Sequence, residues 1–215
     1  MTNQDSFLAI LREFEKLHNV SLGNIERDLS ETSYDSANDY FLYKGSGIRA
    51  ISMDDVAKGY RDVYGTSLEP DNNHPPKTAD AFLITKTDQW FLIEFKNAVL
   101  EGKSGGLKSE ILSKAYQNWY MILDLLYATR DMQPYDTFHY RNPIEFARDR
   151  VQYILVISEE KNPRTANYIA EAKRIKQKHT PGFMWRIKDY LFNDAFVYTE
   201  TYFEMEFVKK FYASE

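Results

Sequence analysis

The chain has 215 residues and carries 27 Lys and Arg against 32 Asp and Glu, a formal net charge of −5 that counts against a protein coating nucleic acid through bulk charge but not against an enzyme whose acidic site turns toward phosphate once divalent ions reverse its local charge. The absence of Cys excludes disulfides and cysteine-ligated zinc, and a composition that is 43% hydrophobic and 15% aromatic suffices for a substantial core. No apolar run reaches spanning length and no charged-then-apolar leader is present, so the expectation is a cytoplasmic protein, neither embedded in a membrane nor exported.

Asp5 is placed to cap a first helix in which Phe7, Leu8, Leu11, Phe14 and Leu17 recur at helical spacing, ending near His18. Residues 19–51 are mixed: SETSYDSAND is polar and reads as a loop or helix end, DYFLYK is aromatic, GSG at 45–47 marks a turn, and residues 48–51 suit a short strand. Ser52 and Asp55 have the spacing of a capping box for a helix carrying Val56, Tyr60 and Val63 and stopping at Gly65. EPDNNHPPK, residues 69–77, is irregular because its prolines and asparagines suit neither a helix nor a central strand.

Residues 79–98, ADAFLITKTDQWFLIEFKNA, read as two strands, 80–85 and 90–96, joined by a short polar turn. A flexible GKSGG loop at 102–106 leads into a long helix from about 107 to 129, with Leu112, Ala115, Trp119, Ile122, Leu123 and Leu126 on its apolar face. VQYILVIS, residues 151–158, is β-branched and apolar, as a strand buried on both faces should be, and is expected to run parallel to one strand of the pair. Asn162 and Pro163 open a further helix ending near residues 180–182, and the tail AFVYTETYFEMEF holds one or two strands or an aromatic terminal segment. The order predicts an α/β domain, a central mixed sheet flanked by helices, with a helical N-terminal part (1–65), a core (66–182) and a β-rich aromatic tail (183–215).

The charges inside the strand pair need an explanation, since burying an ion without a partner is costly. Strand alternation puts Leu92, Glu94 and Lys96 on one face and Phe91, Ile93 and Phe95 on the other. If the hairpin is centred on Thr87, Asp80 lies opposite Glu94 and the two carboxylates meet Lys96; a one-residue shift turns Asp80 to the wrong face unless a bulge intervenes. Two ionised carboxylates at close range repel, and a Mg²⁺ or Mn²⁺ between them removes the conflict.

Asp80 followed by Glu94-Phe95-Lys96 on an apolar strand resembles the PD-(D/E)XK nuclease superfamily. AYQNWYMILDLL at 115–126 adds Gln117 and Tyr120 at the positions of the Gln-x-x-Tyr segment of its RecB-like members. The resemblance covers roughly residues 79–157 and implies a restriction-endonuclease-like core with an N-terminal helical addition. It implies Asp80, Glu94 and the Phe95 carbonyl as metal ligands, Lys96 as the catalytic lysine, and Mg²⁺-dependent phosphodiester hydrolysis, of DNA rather than RNA. Where that family has Pro before the Asp, this chain has Ala79. A further Glu from the opening helix has three candidates, Glu13, Glu15 and Glu26. Glu110, Lys114, Gln117 and Asn118 share one arc of the long helix, so Lys114, Gln117 and Tyr120, with Lys103 and Lys108 from the loop before them, are candidates to position a nucleic acid.

Plainer readings stand beside these. Glu94 and Lys96 suit an edge strand whose charges guard against aggregation, and Asp80 suits a residue bonding back to the turn before it. His18, His74, His139 and His179 lack metal-ligand spacing, His74 being nearest the strand pair. KRIKQKH at 173–179 is either a phosphate contact or a solvated helix end. The second functional reading is a catalytically inactive nuclease-fold module, an inhibitor or accessory subunit in phage or host defence, which binds a protein partner or a second copy through its aromatic surface.

Overall fold

The computed structural model describes residues 3–45, 47–65, 74–102, 105–130 and 142–214. Helix α1 (Asn3–His18) is followed by β1 (Glu26–Asp28), α2 (Leu29–Thr32) and a small hairpin of β2 (Tyr34–Asp35) and β3 (Tyr40–Phe41). Strand β4 (Arg49–Ser52), helix α3 (Met53–Tyr64), strands β5 (Ala81–Ile84) and β6 (Trp90–Lys96) and helix α4 (Gly105–Ala128) come next. Then follow α5 (Pro143–Arg150), β7 (Val151–Ile157), α6 (Pro163–Arg174), α7 (Trp185–Tyr190) and β8 (Asp194–Thr199). The chain closes on α8 (Glu200–Phe203), a π-helical stretch (Glu204–Val208) and α9 (Lys209–Ser214).

The large sheet is mixed, in the order β1-β4-β5-β6-β7-β8. Neighbours from β1 to β6 are antiparallel, whereas β6, β7 and β8 run parallel. Parallel neighbours need a crossover, and α4 lies in the connection from β6 to β7. The middle strand β7 is buried at every position but Gln152, as its β-branched composition requires. On one face, Phe7 of α1 meets Phe82 and Trp90 edge-on at 5.0 and 5.7 Å, and Trp119 of α4 meets Trp90 at 6.4 Å. On the other, Phe91 and Phe95 pack against Phe207 and Phe203 at 4.9 and 5.7 Å.

Several expectations need correction. The first 65 residues are no helical addition, because β1 and β4 belong to the main sheet and Ile51 and Ser52 pair with Phe82 and Ala81. Asp5 lies inside α1, which already runs from Asn3. Ser52 precedes α3 but its hydroxyl donates to Asp55 (2.8 Å), which is drawn into ion pairs with Arg27 and Lys58; the capping box forms instead at Asp28 and Glu31. Helix α6 stops at Arg174, and residue 179 bridges to Val197 of β8. The tail contributes one strand and then turns helical, with Phe203 and Phe207 buried in the core while Trp185 and Tyr190 stay exposed. Helix α5 was not expected at all. Residues 69–73, Lys103 and His139 lie outside the described residues. Among the described residues, no helix is long and apolar enough to cross a membrane.

Candidate functional site

The turn between β5 and β6 decides the register. The Thr85 N–H donates to the Gln89 carbonyl and the Asp88 N–H to the Thr85 carbonyl, each at 3.0 Å, with Asp88 in the left-handed region (φ 60°) that Asp tolerates. The Trp90 indole N–H pins Asp88 at 2.9 Å. The loop is therefore centred on Thr87, and the pairs Ile84–Trp90, Leu83–Phe91, Phe82–Leu92 and Ala81–Ile93 follow. Asp80 comes next in this register, beside Glu94, and its Oδ2 accepts the Phe95 N–H at 2.6 Å.

Glu94 is fully buried. Lys114 of α4 places its Nζ 2.8 and 3.0 Å from the two Glu94 oxygens and 3.6 Å from Asp80 Oδ1. Lys96 Nζ sits 2.9 Å from Glu94 Oε1 and 3.0 Å from Glu110 Oε1. The polar arc of α4 thus faces the ends of β5 and β6. Gln117 accepts the Lys77 N–H at 2.9 Å, and the buried Asn118 accepts the Ala79 N–H at 3.3 Å, tying the segment that leads into Asp80.

Burial, then the Glu94 charge, pushes the Asp80 carboxyl well above the usual carboxylate range, against the opposing pull of Lys114 and the Phe95 N–H. Burial works against both ammonium groups, yet the Glu94 charge holds Lys96 and Lys114 above the ordinary lysine value. Burial also opposes ionisation of Glu110, and the hydrogen bond and charge of Lys96 outweigh it, holding its carboxyl below the usual glutamate pKa.

The cluster opens on a cleft of about 360 Å³. Asp54, Asp80, Phe95 and Lys96 line one side, and the β2–β3 hairpin, with Tyr34, Asp35 and Asn38, lines the other. Asn97 ties the two sides through a 3.4 Å hydrogen bond to Asp35. Asp54 was not among the sequence candidates. It sits in the first turn of α3, where a carboxylate suits the helix dipole, and accepts the Thr78 hydroxyl at 2.8 Å. Its sequence signal was an acidic first turn; that β4 pairs with β5 and delivers this turn beside Asp80 is a tertiary fact. Tyr153 of β7 was also missed. Its hydroxyl is buried without a hydrogen-bond partner among the described residues, and burial, then the charges of Glu94, Asp80 and Glu110, pushes its pKa well above that of free tyrosine.

Other candidates lie apart from the cluster. Lys108 turns to the Gly102 carbonyl at 3.1 Å. Tyr120 is 68% exposed and lines a second groove with Tyr60, Tyr64, Tyr116 and His74. Glu13 pairs with Lys16, Glu15 with Arg12 and Glu26 with Arg49, so each of the three upstream glutamates is engaged by a basic side chain of its own part of the fold. His18 meets the Phe14 ring at a tilt, centroids 4.6 Å apart, and His179 lies beside β8. In the 173–179 run, Lys173 pairs with Glu206 and Lys178 with Asp194.

Among the described residues, no three His, Cys, Asp or Glu side chains converge as a ready metal cage. The oxygen donors at the cluster are those of Asp80 and the Glu94 carboxylate. Such a set suits a hard cation that keeps several waters rather than zinc. The fully buried Tyr153 hydroxyl nearby is a donor with no acceptor among the described residues. No protein-family model, no curated protein and no solved structure matches this chain, so its chemistry rests on its own geometry.

Proposed function

We propose that this protein is a metal-dependent phosphodiesterase acting on nucleic acid, DNA before RNA, with a restriction-endonuclease-like core. The observation that carries the reading is the register that sets Asp80 beside Glu94, with Lys96 2.9 Å from Glu94 at the edge of a cleft. Asp80, Glu94 and the Phe95 carbonyl would hold Mg²⁺ or Mn²⁺, which when bound supplies Lewis-acid activation of water and neutralises phosphate charge. Lys96 is held as an ammonium by Glu94 and Glu110, so its part is to orient a nucleophile and offset phosphate charge rather than to remove a proton. Lys114 and Gln117 are bound within the cluster and brace the carboxylates and the approach to β5. The acidic lining of the cleft, Asp54 and Asp80 on one side and Asp35 on the other, disfavours a bare phosphate and favours one that arrives with a cation.

The test is hydrolysis of single- and double-stranded DNA and of RNA by purified protein with Mg²⁺, Mn²⁺ or EDTA. Cleavage that needs the ion and is lost in both Lys96→Ala and Glu94→Ala supports the reading; ion-dependent cleavage that survives both substitutions overturns it. One observation favours the inactive-module reading: Lys114 already neutralises Glu94 on both oxygens, as a purely structural ion cluster would. A folded protein that takes up no ion and cleaves none of the three substrates would favour that module.

A further inference from the structure

The two lysines of the cluster are not equivalent. Lys96 touches one Glu94 oxygen and spends its other contact on Glu110, whose side chain is 37% exposed. Lys114 spans both Glu94 oxygens at 2.8 and 3.0 Å and reaches to 3.6 Å from Asp80 Oδ1. These are the same oxygens that would ligate a hard cation. Lys114 covers both Glu94 oxygens, so a divalent ion cannot take them while that ammonium stays in place, whereas Lys96 touches only one. The buried Tyr153 hydroxyl, in the field of Glu94, Asp80 and Glu110, has no hydrogen-bond partner among the described residues. A hydrated cation brings the water oxygens that such a donor can meet.

We infer that Lys114 is an internal counter-ion that competes with the metal: it holds Glu94 and Asp80 together in the ion-free protein and leaves their oxygens when a divalent cation enters. The inference rests on the metal reading above. Exchange of this kind keeps a fully buried glutamate compensated at every stage, and it sets metal affinity below what the bare oxygens would give. The lysine stem is flexible, so the ammonium can withdraw toward the cleft without moving α4.

Mn²⁺ binding to EDTA-stripped protein, read from the loss of the free-ion paramagnetic resonance signal and by calorimetry, tests this directly. Lys114→Met should bind Mn²⁺ about tenfold tighter than the parent and gain more thermal stability from it. Lys114→Arg keeps the charge but grips two oxygens in a fork, and should bind more weakly than the parent. Glu94→Gln assigns the binding to this site by abolishing it. Parent-level or weaker affinity in Lys114→Met overturns the inference while leaving the metal reading intact. Absence of Mn²⁺ binding in both the parent and Lys114→Met at millimolar ion sinks the metal reading and the inference with it. If Lys114→Met folds only with Mn²⁺ present, that supports exchange; if it folds in neither condition, Lys114→Arg decides, with affinity equal to or above the parent refuting it.

Discussion

Replacing each lysine of the cluster with Met separates their structural roles. Met keeps an apolar stem of similar reach and removes only the charge. In Lys114→Met, the fully buried Glu94 loses the partner on both of its oxygens and Asp80 loses its cation. Breaking a buried ion pair by deleting one partner costs about 3–5 kcal/mol. Lys96 still reaches Glu94 Oε1, and the cluster borders the cleft through Asp80 and Lys96, so about 3 kcal/mol is the expectation. In Lys96→Met, Glu94 keeps its two-oxygen contact to Lys114, and Glu110 is partly solvated, so the loss falls to about 1 kcal/mol. Urea denaturation at neutral pH in EDTA, with both variants compared at matched m-values, measures the difference. Equal losses, or a larger loss for Lys96→Met, would refute the assignment of Lys114 as the principal counter-ion of Glu94.

Other outcomes follow from the same geometry. Burial and the Glu94 charge raise the Asp80 carboxyl, so above pH 3.8 the folded state keeps a proton that the unfolded state releases; ion-free stability should fall as pH rises through that window and level off above the raised value, and Asp80→Asn should remove that slope in urea midpoints taken across pH 4 to 8. Tyr153→Phe removes a buried hydroxyl with no partner, so in EDTA it should leave stability unchanged or raise it by about 1 kcal/mol, whereas a loss of that size by thermal denaturation would reveal an unrecognised acceptor. Asn162, fully buried, accepts the Leu100 N–H at 2.7 Å and donates to the Ala98 and Ser158 carbonyls at 2.9 and 3.0 Å; Asn162→Ala should cost about 2–3 kcal/mol in the same denaturation assay by stranding those groups.

The reach of the sequence was greatest where one local signal determines the answer. Strand alternation fixed which face Glu94 and Lys96 share, whereas the pairing of Asp80 with Glu94 hung on a turn that left two registers one residue apart open. The helical arc of Glu110, Lys114, Gln117 and Asn118 was likewise legible, because side-chain periodicity is a property of the local backbone. Helix α5 was not, its eight residues PIEFARDR being too short and too polar to show a clear period.

What only the folded chain decided is which distant segments meet. Pairing of β4 with β5 brings Asp54 to Asp80, and the β2–β3 hairpin supplies the far side of the cleft. The upstream glutamates could not be ranked by sequence; in the fold each pairs with a basic residue of the N-terminal part. The choice of Lys114 over Lys96 as the main partner of Glu94 depends on where α4 crosses the ends of β5 and β6. A charge in a sequence has a sign and a spacing, but its partner is chosen by tertiary packing, since low-dielectric burial makes the nearest opposite charge decisive.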